Sequence, residues 1–282
     1  MATTSSLKNV ISIDCSKKAF NSQIYLLVAL SKNNNLVVVE GQFDKDIFSN
    51  FFVGRVHLLP CTGRGYIEKI FKKLPLTIVN VIGLADKDYS IDNCSDCRIF
   101  FYDHNNIEMM IFSDNNVFDK PTKLSGIEEA TADSLIEIRD RVLNIIYPIS
   151  IFRLSKANVD AKNLLGINDV IDDILSIKNL SNAELASQII FKINNCSKRN
   201  VNQMLKTLFV SNYNNEMSKT HNLYDITQGH DFVDLYCDLA SISEKTLRKN
   251  ILSSYSSVLF KRTSLYSNLR RYEIIQGTQF LL

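Results

Sequence analysis

Two kinds of hydrophobic pattern follow one another along the sequence, and the change falls near residue 120. In the first part, short continuous apolar runs alternate with stretches in which apolar residues recur every three or four positions. Continuous runs are typical of strands covered on both faces, whereas the three-to-four spacing is typical of amphipathic helices. In the second part only the helical spacing continues. The pattern therefore predicts the α/β fold class, with a parallel sheet followed by a mostly α-helical C-terminal domain.

The segment DNNVFDKPTKLSG separates the two parts, and its Asn, Asp, Pro and Gly residues are typical of a loop. We therefore predict a helical lead-in over 1–34, an α/β domain over 35–120 and a helical domain over 125–282. In the lead-in, FNSQIYLLVAL favours a helix over an additional edge strand. Pro148 is expected to end the first helix of the last domain. Further helices are predicted from the segments INDVIDDILSI, SNAELASQIIFKI, VNQMLKTLFV and GHDFVDLYCDLA.

An acidic residue follows the first predicted strand. Leu36 to Val39 is a short apolar run that Glu40 and Gly41 terminate, and a helical pattern begins directly afterwards. Open α/β sheets bind their ligands at the carboxyl ends of the strands, so Glu40 is a candidate site residue. Asp44 comes one helical turn after Glu40 and can face the same site.

A second apolar run, LTIVNVIGLADKDY, ends in Asp86 and Asp88. On an extended chain these two side chains would point the same way, since side chains alternate between the two faces. Like charges at short distance repel one another, and a divalent cation offsets that repulsion. Oxygen ligands favour Mg²⁺ or Mn²⁺ over Zn²⁺. Between the two runs, Gly63 and Gly65 open another helical pattern. The sequence thus predicts one metal site, formed by Glu40, Asp86 and Asp88.

The segments VVVEGQFD and GLADKD, within roughly residues 20 to 120, resemble the Toprim domain of topoisomerases, primases and OLD-family nucleases. Asp44 and the later segment DHNNIEMMI are closer to the OLD-like nucleases. More narrowly, they resemble the stand-alone Toprim nuclease of the PARIS anti-phage system. The resemblance implies a Toprim-like Rossmannoid parallel sheet and an endonuclease that depends on Mg²⁺ or Mn²⁺.

The resemblance also implies roles for individual residues. Asp86 and Asp88 would bind the metal ion, and Glu40 would bind it as well or act as a general base. Glu108 would be an additional catalytic acid. His104, four residues earlier on a helix predicted from His104 to Phe112, would be a general acid or a structural hydrogen-bond donor.

Positive charge is concentrated at high residue numbers although the formal net charge is only +2. The segments EKTLRKN, LFKRT and NLRRYE carry it, interleaved with Tyr255, Tyr266 and Tyr272. Basic residues neutralise phosphates and aromatic rings stack on bases, so a nucleic-acid surface is one interpretation, and a solvated helix face is the other. The candidate phosphate-binding residues are Lys87, Lys261, Arg262, Arg270 and Arg271.

The sequence contains no GxxxxGK[ST] phosphate loop. Full-length OLD nucleases carry an ATPase in the same chain, so the resemblance implies a separate ABC or AAA-type ATPase partner. That partner would hold the nuclease inactive and release it on infection to cut host tRNA. The helical domain is larger than the sheet requires, and we expect it to make homodimer, partner and nucleic-acid contacts.

The longest apolar stretch, Ile24 to Leu30, is too short to span a membrane, and MATTSSLKNV lacks a signal h-region. Six cysteines without framework spacing are typical of reduced thiols, so we expect a cytoplasmic protein without membrane contacts. Cys94, Cys97 and His104 lack the second ligand pair of a structural zinc site.

Three alternative functions fit part of the pattern. An OLD-like nuclease that cleaves DNA would use the same acids. A metal-dependent glycosyltransferase would use Asp86 and Asp88 but leaves Glu40 and Gly41 without a role. A Toprim-shaped interaction module would need none of the acids.

Overall fold

The structure, a computed structural model, describes residues 20–89, 96–119, 130–158, 181–195 and 203–282. Its strands are β1 (Asn35–Val39), β2 (Val56–Pro60), β3 (Val81–Ala85) and β4 (Ile99–Phe101). Its α-helices are α1 (Phe20–Ser31), α2 (Gln42–Phe48), α3 (Arg64–Lys73), α4 (Ile107–Phe112), α5 (Ala132–Asn158), α6 (Asn182–Asn195), α7 (Gln203–Met217), α8 (Leu223–Ile226), α9 (Gly229–Leu239), α10 (Glu244–Ser254), α11 (Ser257–Phe260) and α12 (Ser264–Gln276). A short 3₁₀ helix covers Asn115–Asp119.

The four strands form one parallel sheet in the order β2-β1-β3-β4. Residues Leu36 to Val39 of β1 are fully buried, as their continuous apolar run predicts. In the register of the sheet, Val39 pairs with Pro60 on one side and with Leu84 on the other. Parallel neighbours end at the same edge of a sheet, so the residues that follow β1 and β3 come side by side. The predicted α/β class with a parallel sheet is confirmed.

The chain forms two compact units. Among the described residues, the first contains 20–87, 96–103 and Ile251–Leu282, and the second contains 88–89, 104–119, 130–158, 181–195 and 203–250. These divisions differ from the predicted boundaries at 120 and 125. The sequence pattern does not reveal that helices from Ile251 onward pack with the sheet.

The sheet of the first unit is covered on both faces. Leu36 and Val38 share a buried cluster with Ile67 and Phe71 of α3. On the β3 strand a Cβ at Gly83 would lie 2.7 Å from the Ile67 side chain, so close packing of helix on sheet requires glycine there.

An aromatic cluster includes residues from α2, from the loop that follows it and from α11. Phe48 of α2 contacts Phe51, Phe52 and Phe260, and Phe260 stacks on Phe51 with ring centroids 4.8 Å apart. These rings are the physical reason why the chain from Ile251 onward belongs to the sheet unit. Burial of each aromatic ring stabilises the unit by roughly 1.5–3 kcal/mol.

The buried cation Arg98 joins the carboxyl end of α3 to the start of β4. Its guanidinium is 2% exposed and pairs with Asp96 at 2.6 Å. It also donates to four backbone carbonyls, those of Phe71, Leu74, Pro75 and Ile78. The last carbonyls of a helix have no partner within the helix, and Arg98 supplies one for them.

The second unit is a helical assembly around α5. Residues of α5, α6, α7 and α8 share one buried cluster, which includes Phe152, Phe209 and Tyr213. The prediction that Pro148 ends the helix is wrong, because α5 continues through Pro148 to Asn158. A proline inside a helix costs about 3 kcal/mol, and burial of the surrounding apolar face of α5 offsets that cost.

The predicted lead-in helix is confirmed as α1, and the predicted helix at SNAELASQIIFKI is confirmed as α6. The segment INDVIDDILSI and most of the predicted loop over 114–126 lie outside the described residues. None of the helices that the structure describes is long and apolar enough to span a membrane.

Replacement of Arg98 by Met should lower the free energy of unfolding by about 3–5 kcal/mol, because it leaves the half-buried carboxylate of Asp96 and several helix-end carbonyls without their donor. Urea denaturation followed by circular dichroism measures the change. The control is Lys69→Met, which changes an exposed residue of α3 and should alter stability by less than about 0.5 kcal/mol. Equal stability of the two variants would contradict the role given to Arg98.

Candidate metal centre

Glu40 and Asp86 meet at the carboxyl ends of β1 and β3. Glu40 directly follows β1, Asp86 directly follows β3, and Glu40 Oε1 accepts a hydrogen bond from the backbone N–H of Asp86 at 2.8 Å. The parallel pairing of the two strands produces this contact between residues 46 positions apart. The structure therefore brings together two of the acids that the sequence analysis assigned to one site.

The beginning of α3 contributes a glycine and a cation to the same place. Gly63 has φ 84°, a conformation that favours glycine, and its N–H donates to the carbonyl of Glu40 at 3.3 Å. Arg64 is 8% exposed, and its Nη1 donates to the carbonyls of Asp86 and Lys87. Its Nε pairs with Glu68 at 2.7 Å. Arg64 thus fixes the backbone that carries Asp86.

Asp44 is buried within α2 and bonded to a tyrosine. Its side chain accepts a hydrogen bond from the hydroxyl of Tyr102 at 2.5 Å, and Tyr102 directly follows β4. Burial raises the pKa of Tyr102 well above its usual value, and the charges of Asp44, Asp86 and Glu40 raise it further. Three carboxylates therefore lie within electrostatic reach of one hydroxyl group.

The side chains of Glu40 and Asp86 offer oxygen atoms, the donors that hard cations take. Within the described ranges, no group of three or more His, Cys, Asp and Glu side chains is arranged so that it could hold a metal ion. Mg²⁺ is commonly bound by one or two carboxylates, with waters and substrate phosphates filling the other positions. Glu40 and Asp86 supply that number of carboxylates, and their oxygen atoms suit Mg²⁺ or Mn²⁺ better than Zn²⁺.

The chain turns immediately after Asp86. Asp88 and Tyr89 have φ 45° and 63°, so the backbone is left-handed rather than extended at Asp88. The prediction that the side chains of Asp86 and Asp88 point the same way on an extended chain is therefore wrong, although Asp88 stays a predicted ligand by resemblance. Asp88 is exposed and belongs to the second unit, and Lys87 is half-buried.

His104 and Glu108 do not share a helix face. The helix predicted to begin at His104 begins at Ile107, and His104 precedes it with φ 64°. His104 Nδ1 lies 2.7 Å from Asp225 Oδ1. Glu108 lies 3.5 Å from Arg248 and fills the space that a Cβ on Gly229 would occupy. Both residues belong to the second unit and make these contacts there.

His230 and Asp231 form an ion-pair network at the start of α9. Arg153 binds both carboxylate oxygens of Asp231, at 2.6 and 2.8 Å, and His230 Nε2 lies 3.1 Å from Asp231. The hydrogen bond to Asp231 raises the pKa of His230. Burial acts to raise the pKa of Asp231, but hydrogen bonds from His230 and Arg153 lower it overall. The network ties α9 to α5.

The basic residues of the predicted nucleic-acid surface are exposed, but two of the interleaved tyrosines are not. Tyr255 packs on Phe51, and Tyr272 packs on Phe100, so neither ring is available to stack on a base. The exposed basic residues are Lys261, Arg262, Arg270 and Arg271. Arg270 is bonded to Glu273 at 2.5 Å.

Sequence reasoning missed Arg64 and Tyr102. A cation in the first turn of a helix is unfavourable because it opposes the helix dipole. The position of Arg64 therefore indicates that its side chain has a partner outside the helix. A tyrosine at the end of an apolar strand must find a partner for its hydroxyl when it is buried. Tyr102 therefore carried a similar signal.

The raised pKa of His230 predicts a specific pH dependence. Because the pKa of His230 is higher in the folded than in the unfolded protein, the protonated side chain stabilises the fold. This stabilisation is complete below about pH 6.5, the unfolded-state pKa, and is lost as the pH rises through the higher folded-state pKa. The melting-temperature difference between the parent protein and His230→Gln should therefore be largest below about pH 6.5 and shrink as the pH rises above that value. Differential scanning calorimetry across this range is the measurement. A difference that is constant with pH would show that the pair does not contribute in this way.

Comparisons with protein families, with curated proteins and with solved structures find no match.

Proposed function

We propose that the chain is a Toprim-like endonuclease that cleaves phosphodiester bonds with Mg²⁺ or Mn²⁺, acting on RNA and most specifically on tRNA. The observation that carries the proposal is the hydrogen bond between Glu40 and Asp86 at the ends of two parallel strands. The same pair of acids carries the resemblance to the Toprim family. Asp44 and Arg64 lie around that pair and are both largely buried.

The residues of the acidic site would have different roles in phosphodiester cleavage. A bound divalent cation would stabilise negative charge on the phosphate and lower the pKa of water. Glu40 and Asp86 would hold it, with Asp88 as a further ligand that the motif implies. Arg64 holds the backbone of Asp86 and Lys87 through its hydrogen bonds to their carbonyls. Because the acids sit on rigid strand ends, the cation would be held with little rearrangement.

The acid pair favours a nuclease over the other candidates. A glycosyltransferase would explain Asp86 and Asp88, whereas the structure joins Asp86 to Glu40. An interaction module would not require a carboxylate as buried as that of Asp44. DNA as substrate is an outcome that the experiment below distinguishes.

The biological setting that we propose follows the resemblance to PARIS nucleases. The chain would be the toxic effector of a bacterial anti-phage system and would act in the cytoplasm as a homodimer. A separate ABC or AAA-type ATPase would hold it inactive, since the sequence has no phosphate loop of its own.

Glu40→Gln and Asp86→Asn should each abolish the rise in melting temperature that Mn²⁺ causes in the parent protein, because only the native state of the parent binds the ion. Each should also reduce cleavage by at least about 100-fold. Calorimetry measures the first effect, and incubation with tRNA, unstructured RNA or duplex DNA, followed by sequencing of the ends, measures the second.

The matched control is Asp46→Asn, which removes one carboxylate from the same helix as Asp44. Asp46 is bonded to Gln42 in an exposed position, so both the Mn²⁺ effect and cleavage should be retained. Parental cleavage by Glu40→Gln and Asp86→Asn would refute the proposed function, and cleavage of duplex DNA alone would identify the OLD-like alternative.

Charge reversal at Lys261 and Arg271 should weaken RNA binding and reduce the slope of log K against log salt by about 1 for each phosphate that the protein no longer neutralises. Filter binding at several salt concentrations provides the slope. Lys69→Glu with Lys72→Glu changes the charge equally on exposed positions of α3. Lys72 lies near the carboxyl end of α3, away from Arg64. If the double variant at Lys261 and Arg271 and the double variant at Lys69 and Lys72 had equal salt slopes, Lys261 and Arg271 would belong to a solvated helix face and not to an RNA-binding surface.

A further inference from the structure

Tyr102 holds α2 at two separate points. Its ring is parallel to that of Phe48, with an interplanar angle of 16° and ring centroids 5.7 Å apart. Its hydroxyl donates to Asp44, four residues earlier on the same helix. The backbone N–H of Tyr102 donates to the carbonyl of Ala85, the residue before Asp86. One residue thus connects the helix that carries Asp44 to the strand end that carries Asp86.

The carboxylate of Asp44 is confined on its other side as well. Its Oδ2 would lie 3.3 Å from a Cβ on Gly41, so that oxygen is close to the backbone at the end of β1. The residue is 7% exposed. A buried carboxylate requires donors, because burial without them costs several kcal/mol. The hydroxyl of Tyr102 is such a donor.

Packing alone does not require the hydroxyl at position 102. The ring that stacks on Tyr102 is that of Phe48, and a Phe ring at position 102 would make the same parallel contact. The hydroxyl of Tyr102 is bonded to the carboxylate of Asp44, and its backbone N–H is bonded to the carbonyl of the residue before Asp86. Its position therefore relates to the acids.

We propose that Tyr102 is a positioning residue of the acidic site, because its hydroxyl fixes the Asp44 carboxylate near Glu40 and Asp86 and thereby sets the affinity for a divalent cation. This proposal rests on the proposed function in that Glu40 and Asp86 bind the metal ion. Asp44 would act on a bound cation through its negative charge, whereas Glu40 and Asp86 would hold the ion. Outer partners of this kind typically change metal affinity by about 10- to 100-fold.

The experiment is a titration of the full chain with MnCl₂, followed by the electron paramagnetic resonance of free Mn²⁺. Tyr102→Phe should weaken Mn²⁺ binding by at least about 10-fold. Tyr66→Phe is the matched control, since it removes a hydroxyl that donates to Gln23 at 2.8 Å in the same unit. It should leave the Mn²⁺ affinity unchanged. At saturating Mn²⁺ the kcat of Tyr102→Phe should return to the parental value, because the proposed effect is on affinity, and the kcat of Tyr66→Phe should be parental at every Mn²⁺ concentration.

Asp44→Asn provides an independent arm of the test. It keeps an oxygen that can accept from Tyr102 and removes the charge, so it should also weaken Mn²⁺ binding by at least about 10-fold. The double variant should lose less than the product of the two single effects, because both act through one hydrogen bond. The Asp44→Asn result decides the proposal if Tyr102→Phe does not fold.

The outcomes separate this proposal from the proposed function. Parental Mn²⁺ affinity in Tyr102→Phe or in Asp44→Asn, with binding lost in Glu40→Gln, would overturn the role of Tyr102 and retain the metal site. Parental affinity in Glu40→Gln and Asp86→Asn as well would overturn the metal site itself.

Discussion

The parallel pairing of β1 with β3 is the constraint on which the rest of the structure depends. The register sets Val39 opposite Leu84, and the acids Glu40 and Asp86 come next along each strand. Burial of both strands makes this pairing rigid, because a slip in register would expose an apolar strand or bury a charge. The two acids are thus neighbours by topology, and helices or loops can vary without separating them.

That placement brings negative charges together, and the surroundings of the site compensate for it. The N–H of Asp86, the guanidinium of Arg64 and the hydroxyl of Tyr102 all point hydrogen-bond donors at the carboxylates or at the backbone beside them. Donors supplied by rigid elements lose little entropy when they bind. These donors hold the carboxylates, and the backbone beside them, in fixed positions.

The sequence was most informative where local pattern and tertiary environment agree. The buried run before Glu40 predicted both a strand and the position of its acid, since a continuous apolar run has few alternatives. The predictions failed where contacts with residues distant in sequence determine the local structure. Burial in the second unit keeps α5 helical through Pro148, and a left-handed turn at Asp88 ends the extended chain. Arg64 and Tyr102 were missed for the same reason, because their hydrogen-bond partners are far away in sequence.

The sheet unit is discontinuous in sequence, since about 150 residues, most of which belong to the helical unit, separate its two parts. During synthesis at about 5–20 residues per second, the sheet would wait on the order of 10–30 s for Phe260 to reach the ribosome exit. In that interval Phe48 and Phe51 lack the ring that covers them. Exposed aromatic surface of this kind attracts chaperones. The helix that carries Asp44 would thus be packed completely only after Phe260 has been translated.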